Sequence, residues 1–512
     1  MCSLGTFPPP PPCGFVTVCE TNGELVSTRL EDVRAGRYQQ NLNYPQVDIS
    51  KELSKQALSR ETARSAFLEH DGALRKRVYD AWFERGLNGV LEEIANEKSR
   101  KCESQCPAWL SSVAGSLLAL LRWSHALHSS LVPHLSMSSE DMIAEFSHNG
   151  DWKSSIARCF AWHPHTTKFA IALIDDSIRI YMADRPEIVP ILKHKLQHGV
   201  ADLAWKPYSA SVLAVGCQNG ILIWNIEPTS LATRPSTSAV QVLSRPGHQP
   251  VTSVDWDPQG GVLVSASPAD SSMMVWDVGK EECEPLRRVS GGTSFIIWSP
   301  GGDKLMSATP ATNLRVWETK SWSFEKWSNL SGRCKAACWS PDGTILLFAT
   351  ADEPIIYSLT FSKSPDGSGP AIGGSKVAVT SIDVSSVELE SQDGSVVVGG
   401  AVQTMKWDPK GERLAIQFSG SCCELVALFQ TKLHPTLEII PCGFVRGEPG
   451  AVPNLICFQP KFEQGAVLTV VWSSGRISFI PLHFVSRGSL EQRNVSLQPR
   501  NMMNSSVLYS PI

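Results

Sequence analysis

Six short apolar runs end in a tryptophan that stands two residues before a proline: Trp162-His-Pro164, Trp205-Lys-Pro207, Trp256-Asp-Pro258, Trp298-Ser-Pro300, Trp339-Ser-Pro341 and Trp407-Asp-Pro409. A seventh run carries phenylalanine instead, at Phe458-Gln-Pro460. Successive copies lie 43, 51, 42, 41, 68 and 51 residues apart. A second apolar run follows 18 to 22 residues after each copy and ends on another large side chain: Tyr181, Trp224, Trp276, Trp317, Tyr357, Phe429 and Ile480. Between the two signals lies a further apolar stretch, such as Lys168-Phe-Ala-Ile-Ala-Leu173 or Val262-Leu-Val-Ser-Ala266. Each unit therefore reads as strand, turn, strand, turn, strand. Proline ends the first strand because it cannot donate to a ladder. Turn residues follow it directly, as in Gln259-Gly-Gly261, Gly301-Gly-Asp303, Asp342-Gly343 and Lys410-Gly411.

Three strands per unit and a fourth in the linker make a propeller blade. One blade cannot bury both of its faces, but seven in a ring can. The pattern predicts an all-β, seven-bladed β-propeller over residues 150–485, preceded by an α-helical N-terminal segment. The repeated aromatics are assigned to packing between neighbouring blades. Two stretches interrupt the spacing: 228–246, rich in Ser and Thr, and 362–400, rich in Gly and Ser. Both read as surface loops between blades.

Periodicity changes outside the ring. Residues 1–59 form a leader with a polyproline run, Pro8 to Pro12, and a strand-like piece, Phe15-Val-Thr-Val18, that could pair with the propeller edge and close it. Over 60–135 the apolar spacing is helical. Val78, Trp82, Phe83, Val90, Leu91 and Ile94 make one stripe. Trp109, Val113, Leu117, Leu118 and Leu121 make a second helix, apolar on much of its circumference, with Arg122 and His125 near its end. Such a helix is expected to be buried, against its own propeller or against a partner, and is the candidate partner-binding element. The polar residues 486–512 read as a disordered tail.

Composition narrows the function classes. The 512 residues carry a net charge of −4, which gives no electrostatic footprint for nucleic acid or an anionic membrane. No run reaches the length of a membrane span, and the N-terminus lacks the basic-then-apolar order of a secretory signal. The 14 cysteines are scattered. The local clusters Cys102/Cys106, Cys334/Cys338 and Cys422-Cys423 lack the paired spacing of a zinc module and read as thiols in a reducing compartment. No phosphate-binding loop, zinc-protease helix or nucleophile elbow occurs. His163-Pro-His165 coincides with the Trp-x-Pro turn, where other units carry Lys, Asp or Ser, so metal binding there is disfavoured. The expectation is no enzyme, no metal and no cofactor.

The pattern resembles the WD-repeat family in degenerate form. The terminal Trp-Asp is intact only at Trp276-Asp277, and the opening Gly-His only at Gly247-His248. A substrate receptor of a cullin-type ubiquitin ligase is the alternative function. Its adaptor signature, Trp-Asp-x-Arg/Lys, is missed by Trp276-Asp-Val-Gly279 and by Trp317-Glu-Thr-Lys320. Several stretches are more specific: Met1-Cys-Ser-Leu-Gly-Thr-Phe-Pro-Pro-Pro-Pro-Pro12, Gly89-Val-Leu-Glu-Glu-Ile-Ala-Asn96, Phe160-Ala-Trp-His-Pro-His165, Leu203-Ala-Trp-Lys-Pro207, Ser211-Val-Leu-Ala-Val215 and Gly447-Glu-Pro-Gly-Ala451. Together they resemble the aladin family, WD-repeat nucleoporins of the nuclear pore complex. The resemblance implies a non-enzymatic scaffold or adaptor that supports nucleocytoplasmic transport of proteins. Its implied partners are other nucleoporins, including a transmembrane nucleoporin that anchors it at the nuclear envelope. A role in mitotic spindle assembly, with spindle-pole localisation, is also implied, and no homo-oligomer is needed.

Overall fold

The computed structural model describes residues 2–35, 42, 44–53, 90, 91, 94, 113–117 and 137–484, apart from 184, 228–229, 231, 288–290, 362–372, 393 and 421–423. Seven inner strands, Ala157–Trp162, Asp202–Trp205, Ser253–Trp256, Phe295–Trp298, Cys334–Trp339, Val402–Trp407 and Pro453–Phe458, open blades 1 to 7 in that order. Later strands of each blade add outward and antiparallel in chain order; blade 3, for example, continues through Leu263–Ala266, Ser272–Asp277 and Glu282–Arg287. Each inner strand adjoins the next, and Pro453–Phe458 adjoins Ala157–Trp162, so the ring closes. The seven-bladed propeller expected from the aromatic series is the fold.

The Trp-x-Pro motif makes a strand end for local reasons. The proline offers no N–H, and the turn behind it then reverses through a left-handed residue. Gly260, Gly302, Gly343 and Gly411 stand at the same offset in four blades, with φ of 72, 73, 71 and 77°. A Cβ on Gly260 would meet the Pro207 carbonyl at 2.8 Å, so this turn also packs on the previous blade.

All seven aromatics of the series are buried. Each ring packs toward the preceding blade: Trp205 lies among Ala170, Ile178 and Ile180 of blade 1, and Trp162 lies with Val467 and Phe479 of blade 7. The indole nitrogens add a second pattern. Trp205 Nε1 donates to the Ala161 carbonyl, Trp256 to Ala204, Trp298 to Asp255 and Trp339 to Ile297, at 3.2, 3.2, 3.4 and 3.2 Å. Each acceptor is the residue just before the preceding blade's own tryptophan. The pattern stops after blade 5. Trp407 donates instead to Thr431 Oγ1 within its own blade, Phe458 has no donor, and Trp162 reaches Thr469 Oγ1 of blade 7.

Two features differ from the loop expectation, and a third places the leader. The stretch 228–246 contains Val240–Leu243, the fourth strand of blade 2, paired residue for residue with the third. The stretch 362–400 contains Val379–Asp383, the fourth strand of blade 5, and a separate hairpin of Val387–Ser391 and Gly394–Val398. Blade 7 has three strands of its own, and Phe15–Thr21 from the N-terminus lies parallel beside Ile477–His483 as its fourth, with Glu24–Arg29 outside it. Cys2–Ser3 likewise adds to blade 5.

Of the predicted helical stretch, Val90, Leu91 and Ile94 are helical and half-buried. In the helical turn 113–117 Ala114 is buried, whereas Val113 and Leu117 are each 46% exposed. Trp109, Leu118, Leu121, Val78, Trp82, Phe83, the cysteines at 102, 106, 422 and 423, and the tail 486–512 lie outside the described residues.

The two roles of the inner tryptophans can be separated by substitution. Trp256→Phe keeps most of the ring and removes the donor, and is expected to cost about 1 kcal/mol. Trp256→Ala also opens a cavity and is expected to cost about 3–5 kcal/mol. Denaturant midpoints of the two variants measure the difference; equal losses would mean the ring adds nothing beyond its hydrogen bond.

Candidate functional site

The central channel is closed at one end by the chain itself. Residues 138–155 cross the N-terminal ends of the inner strands. Ser138 caps the helix Ser139–Phe146, its Oγ accepting from the Asp141 N–H at 3.1 Å. Ile143 packs against the Gly199 turn before blade 2, and Phe146 lies under the Arg333 guanidinium before blade 5. The His148 ring meets Phe295 of blade 4 at 5.5 Å, and its carbonyl accepts from Gln403 of blade 6 at 3.0 Å. Trp152 Nε1 donates to Val200 O at 2.9 Å, and Ser155 Oγ accepts from Asn454 of blade 7 at 2.7 Å. The segment is a plug tied to blades all round the ring.

Behind the plug the channel encloses about 410 Å³ and runs to the Trp-x-Pro end at Pro164 and Pro207. Asp202, Asp255, Lys406 and Thr404 line it. The two carboxylates tie adjacent blades: Asp202 Oδ2 accepts from Val254 N at 3.0 Å, and Asp255 Oδ2 accepts from Trp298 N at 3.0 Å. Burial pushes Asp202 up to about 6 and Asp255 up to about 7, and neither the backbone donors nor Lys406 offset it. Burial, with Lys406 in addition, pushes His148 down to about 3. Among the described residues no group of three or more His, Cys, Asp or Glu side chains is arranged to hold a metal ion, and no helix is long and apolar enough to cross a membrane.

The N-terminal arm covers the part of the ring that lacks the indole pattern. Leu4 is fully buried in the cluster of blades 5 and 6. The Phe7 ring sits 4.8 Å from Phe429 and 4.7 Å from Phe444 of blade 6. The proline run follows, held by Ser391 Oγ donating to Pro10 O at 3.4 Å and by Arg446 Nη1 donating to Pro11 O at 2.6 Å. Thr17 Oγ1 then accepts from Arg446 N at 3.0 Å. Glu20, wholly buried in the strand beside blade 7, takes the Arg413 guanidinium of blade 6, with Nε at 2.9 and 3.1 Å from its two oxygens. The polyproline run is thus docked on this chain's own blade 6.

Blade 3 holds a connected polar chain. Trp276 Nε1 donates to Ser265 Oγ at 2.8 Å, His248 Nε2 meets the same hydroxyl at 2.9 Å, and His248 Nδ1 meets Asp270 Oδ2 at 2.9 Å. In blade 4 the described residues show only the bond from Trp317 to Ser307, at 3.0 Å. Trp224 donates to Gln197 at 3.0 Å in blade 2, and Tyr181 donates to Glu52 at 2.8 Å in blade 1. Tyr357 is half-buried. His163 is committed to its turn: Nδ1 accepts from the N–H groups of His165 and Thr166 at 3.1 Å each, and Nε2 meets Ser209 O at 2.9 Å.

Sequence reasoning missed the plug, Leu4, Phe7 and the Glu20–Arg413 pair. Ser138 followed by Asp141, Met142, Ile143 and Phe146 is a readable cap and stripe. Glu20 closing an apolar run was the signal for a buried charge.

A sequence model of the family described as the Aladin seven-bladed propeller matches residues 138–483, starting at the cap of the plug. Aladin of Arabidopsis thaliana is 28% identical over 354 residues, spanning 64% of this chain and 76% of that protein. The β-propeller domain of Cps50 (Swd1) from Myceliophteria thermophila is 14% identical, with 63% of this chain and 96% of that one covered at a TM-score of 0.48, a likeness too loose to bear on the fold.

Glu20→Ala is expected to cost about 3–5 kcal/mol, because it leaves Arg413 buried and unpaired, while the double change Glu20→Met with Arg413→Met recovers most of that loss. Denaturant unfolding of the three proteins decides it; a neutral Glu20→Ala would mean that the arm does not hold the ring. Asp255 yields a pH prediction. Its folded pKa is raised, so its contribution is fully favourable below the ordinary carboxyl range and is lost as pH rises through about 7. Asp255→Asn keeps an acceptor for Trp298 and is expected to be the more stable protein at pH 8 by at most about 4 kcal/mol, an upper bound because the carboxyl borders the channel. The advantage should shrink from pH 8 to pH 5 and vanish only near about pH 4 in thermal melts; a gap independent of pH refutes the assignment.

Proposed function

This chain belongs to the aladin seven-bladed propeller family, and on that premise we propose that it is a non-enzymatic scaffold or adaptor of the nuclear pore complex. In this reading it supports nucleocytoplasmic transport of proteins and is held at the nuclear envelope by a transmembrane nucleoporin. A part in mitotic spindle assembly belongs to the same reading. The observation that carries the scaffold role is that the chain fills its own channel mouth with residues 138–155, and uses its arm to complete blade 7. A ring stopped in this way presents faces and edges to partners, and its chemistry is recognition of other proteins.

The stretch 60–135 is the proposed anchoring element, since its helical turn at Val113 and Leu117 offers apolar side chains at the surface. Proximity labelling in cells tests both statements. The intact protein is expected to enrich transmembrane nucleoporins over ligase adaptors, and the pair Val113→Asp with Leu117→Asp to reduce that enrichment severalfold. Enrichment of cullin adaptors instead would overturn the scaffold reading.

A further inference from the structure

Blades 1 and 4 carry the same cation at the same place, and only one of them has a counter-ion. The third strand of blade 1 reads Ile178-Arg-Ile-Tyr181, and that of blade 4 reads Leu314-Arg-Val-Trp317. Strand alternation sets the faces. Ile178 and Ile180 pack toward blade 2, and Leu314 and Val316 toward blade 5. Tyr181 packs toward blade 7, and Trp317 toward blade 3. Arg179 and Arg315 therefore occupy equivalent positions, each facing the preceding blade. Both are buried, with 2% and 4% of the residue exposed.

In blade 1 the guanidinium has a carboxylate on Nη1, although its Nε and Nη2 are buried without a hydrogen-bond partner. Glu52 pairs with Arg179 and accepts from the Tyr181 hydroxyl at 2.8 Å. It is delivered by residues 47–53, whose Val47 and Ile49 are buried in the cluster between blades 7 and 1. In blade 4 nothing among the described residues takes that place. Arg315 Nε and Nη1 are buried without a hydrogen-bond partner. Phe324 lies beneath the guanidinium, 5.1 Å away, and is itself 45% exposed. Directly across the ladder from Arg315 stands Lys326, exposed and without an ion pair among the described residues. The neighbouring Glu325 is turned the other way, against Gly374. Two like charges opposite each other and an unpaired buried guanidinium are unfavourable until an anion arrives.

We propose that the notch of blade 4 formed by Arg315, Lys326 and Phe324 is a docking site for an acidic peptide segment of a partner protein, which supplies a carboxylate to Arg315 as Glu52 does to Arg179. Arg315 gives the planar, paired donors that recognise a carboxylate. Phe324 gives an apolar contact for the residue beside it, and Lys326 raises the local positive potential. The site deepens the scaffold reading by naming one of its surfaces, and it can be tested without reference to where the protein resides.

The test is a thermal melt of the full chain with a pentaglutamate peptide, a pentalysine peptide or inorganic phosphate. Pentaglutamate is expected to raise the melting temperature by about 1–3 °C at low salt, and pentalysine to leave it unchanged. The rise should disappear in Arg315→Met and shrink in Lys326→Ser, an exposed change that leaves the fold intact. Arg315→Met should also melt higher than the parent, whereas Arg179→Met should melt lower. An undiminished rise in Arg315→Met, or no rise in the parent at millimolar peptide, overturns the proposal. A rise with phosphate and none with pentaglutamate overturns the carboxylate assignment. Loss of pore localisation with these shifts intact would strike the scaffold reading and leave the site standing.

Discussion

The indole that closes the inner strands of blades 2 to 5 is the contact on which the ring depends. Its ring fills the space against the preceding blade, and its N–H reaches the carbonyl one residue before that blade's own tryptophan. Packing alone is non-directional and would let a blade slide along the channel axis. The hydrogen bond removes that freedom, because moving one strand by a residue would leave both a buried indole N–H and a buried carbonyl unpaired. Four successive interfaces repeat the same geometry. Each bond adds only about 1 kcal/mol, but in sequence they set the height of five blades against one another.

The interruption of that series explains where the N-terminal arm lies. From blade 6 onward the indole bonds elsewhere or is replaced, and there Leu4, Phe7 and the Glu20–Arg413 pair cross from blade 5 to blade 7. Glu20 and Arg413 stand 393 positions apart. Loop-closure entropy grows only with the logarithm of length, so spanning that distance costs roughly 2 kcal/mol more than a loop of about 50 residues. A buried pair is a weak source of net stability, yet parting it is severe. Glu20 and Arg413 therefore act mainly on register: a strand displaced by one residue would carry a bare carboxylate into the core.

Legibility in the sequence follows how local each feature is. Trp-x-Pro combines an apolar strand end with a residue that cannot continue the ladder, so blade number and order could be counted. Val240–Leu243 and Val379–Asp383 were read as loops because outer strands are half-solvated; Val242 and Val379 are 42% and 61% exposed. Their pairing partners, not their own pattern, make them strands. The fourth strand of blade 7 comes from the other end of the chain, and Phe15-Val-Thr-Val18 could only be offered as a possible partner. The plug helix has eight residues, too few for a strong period, although its cap is visible. The polar chain of blade 3 was within reach, since Gly247-His248 and Trp276-Asp277 fall in the same repeat. The unequal fates of Arg179 and Arg315 were not legible, because two strands of the same local pattern differ in what a distant segment brings to them.

The same asymmetry governs which surfaces remain open. Cys2–Ser3 adds to blade 5, Phe15–Thr21 and Glu24–Arg29 clothe blade 7, and residues 47–53 fill the groove between blades 7 and 1. Among the described residues nothing pairs with the outer strands Val240–Leu243, Glu282–Arg287 and Ser323–Ser328 of blades 2, 3 and 4. Bare edges invite strand addition, and natural proteins discourage it with charge. Blade 3 sets Glu282 and Glu284 on its edge, and blade 4 sets Glu325 and Lys326. Charged edges disfavour indiscriminate sheet pairing while leaving side-chain recognition possible. Among the described residues the arc of blades 2 to 4 is the part of the perimeter that these N-terminal segments leave unclad, and the unpaired guanidinium of Arg315 lies on it.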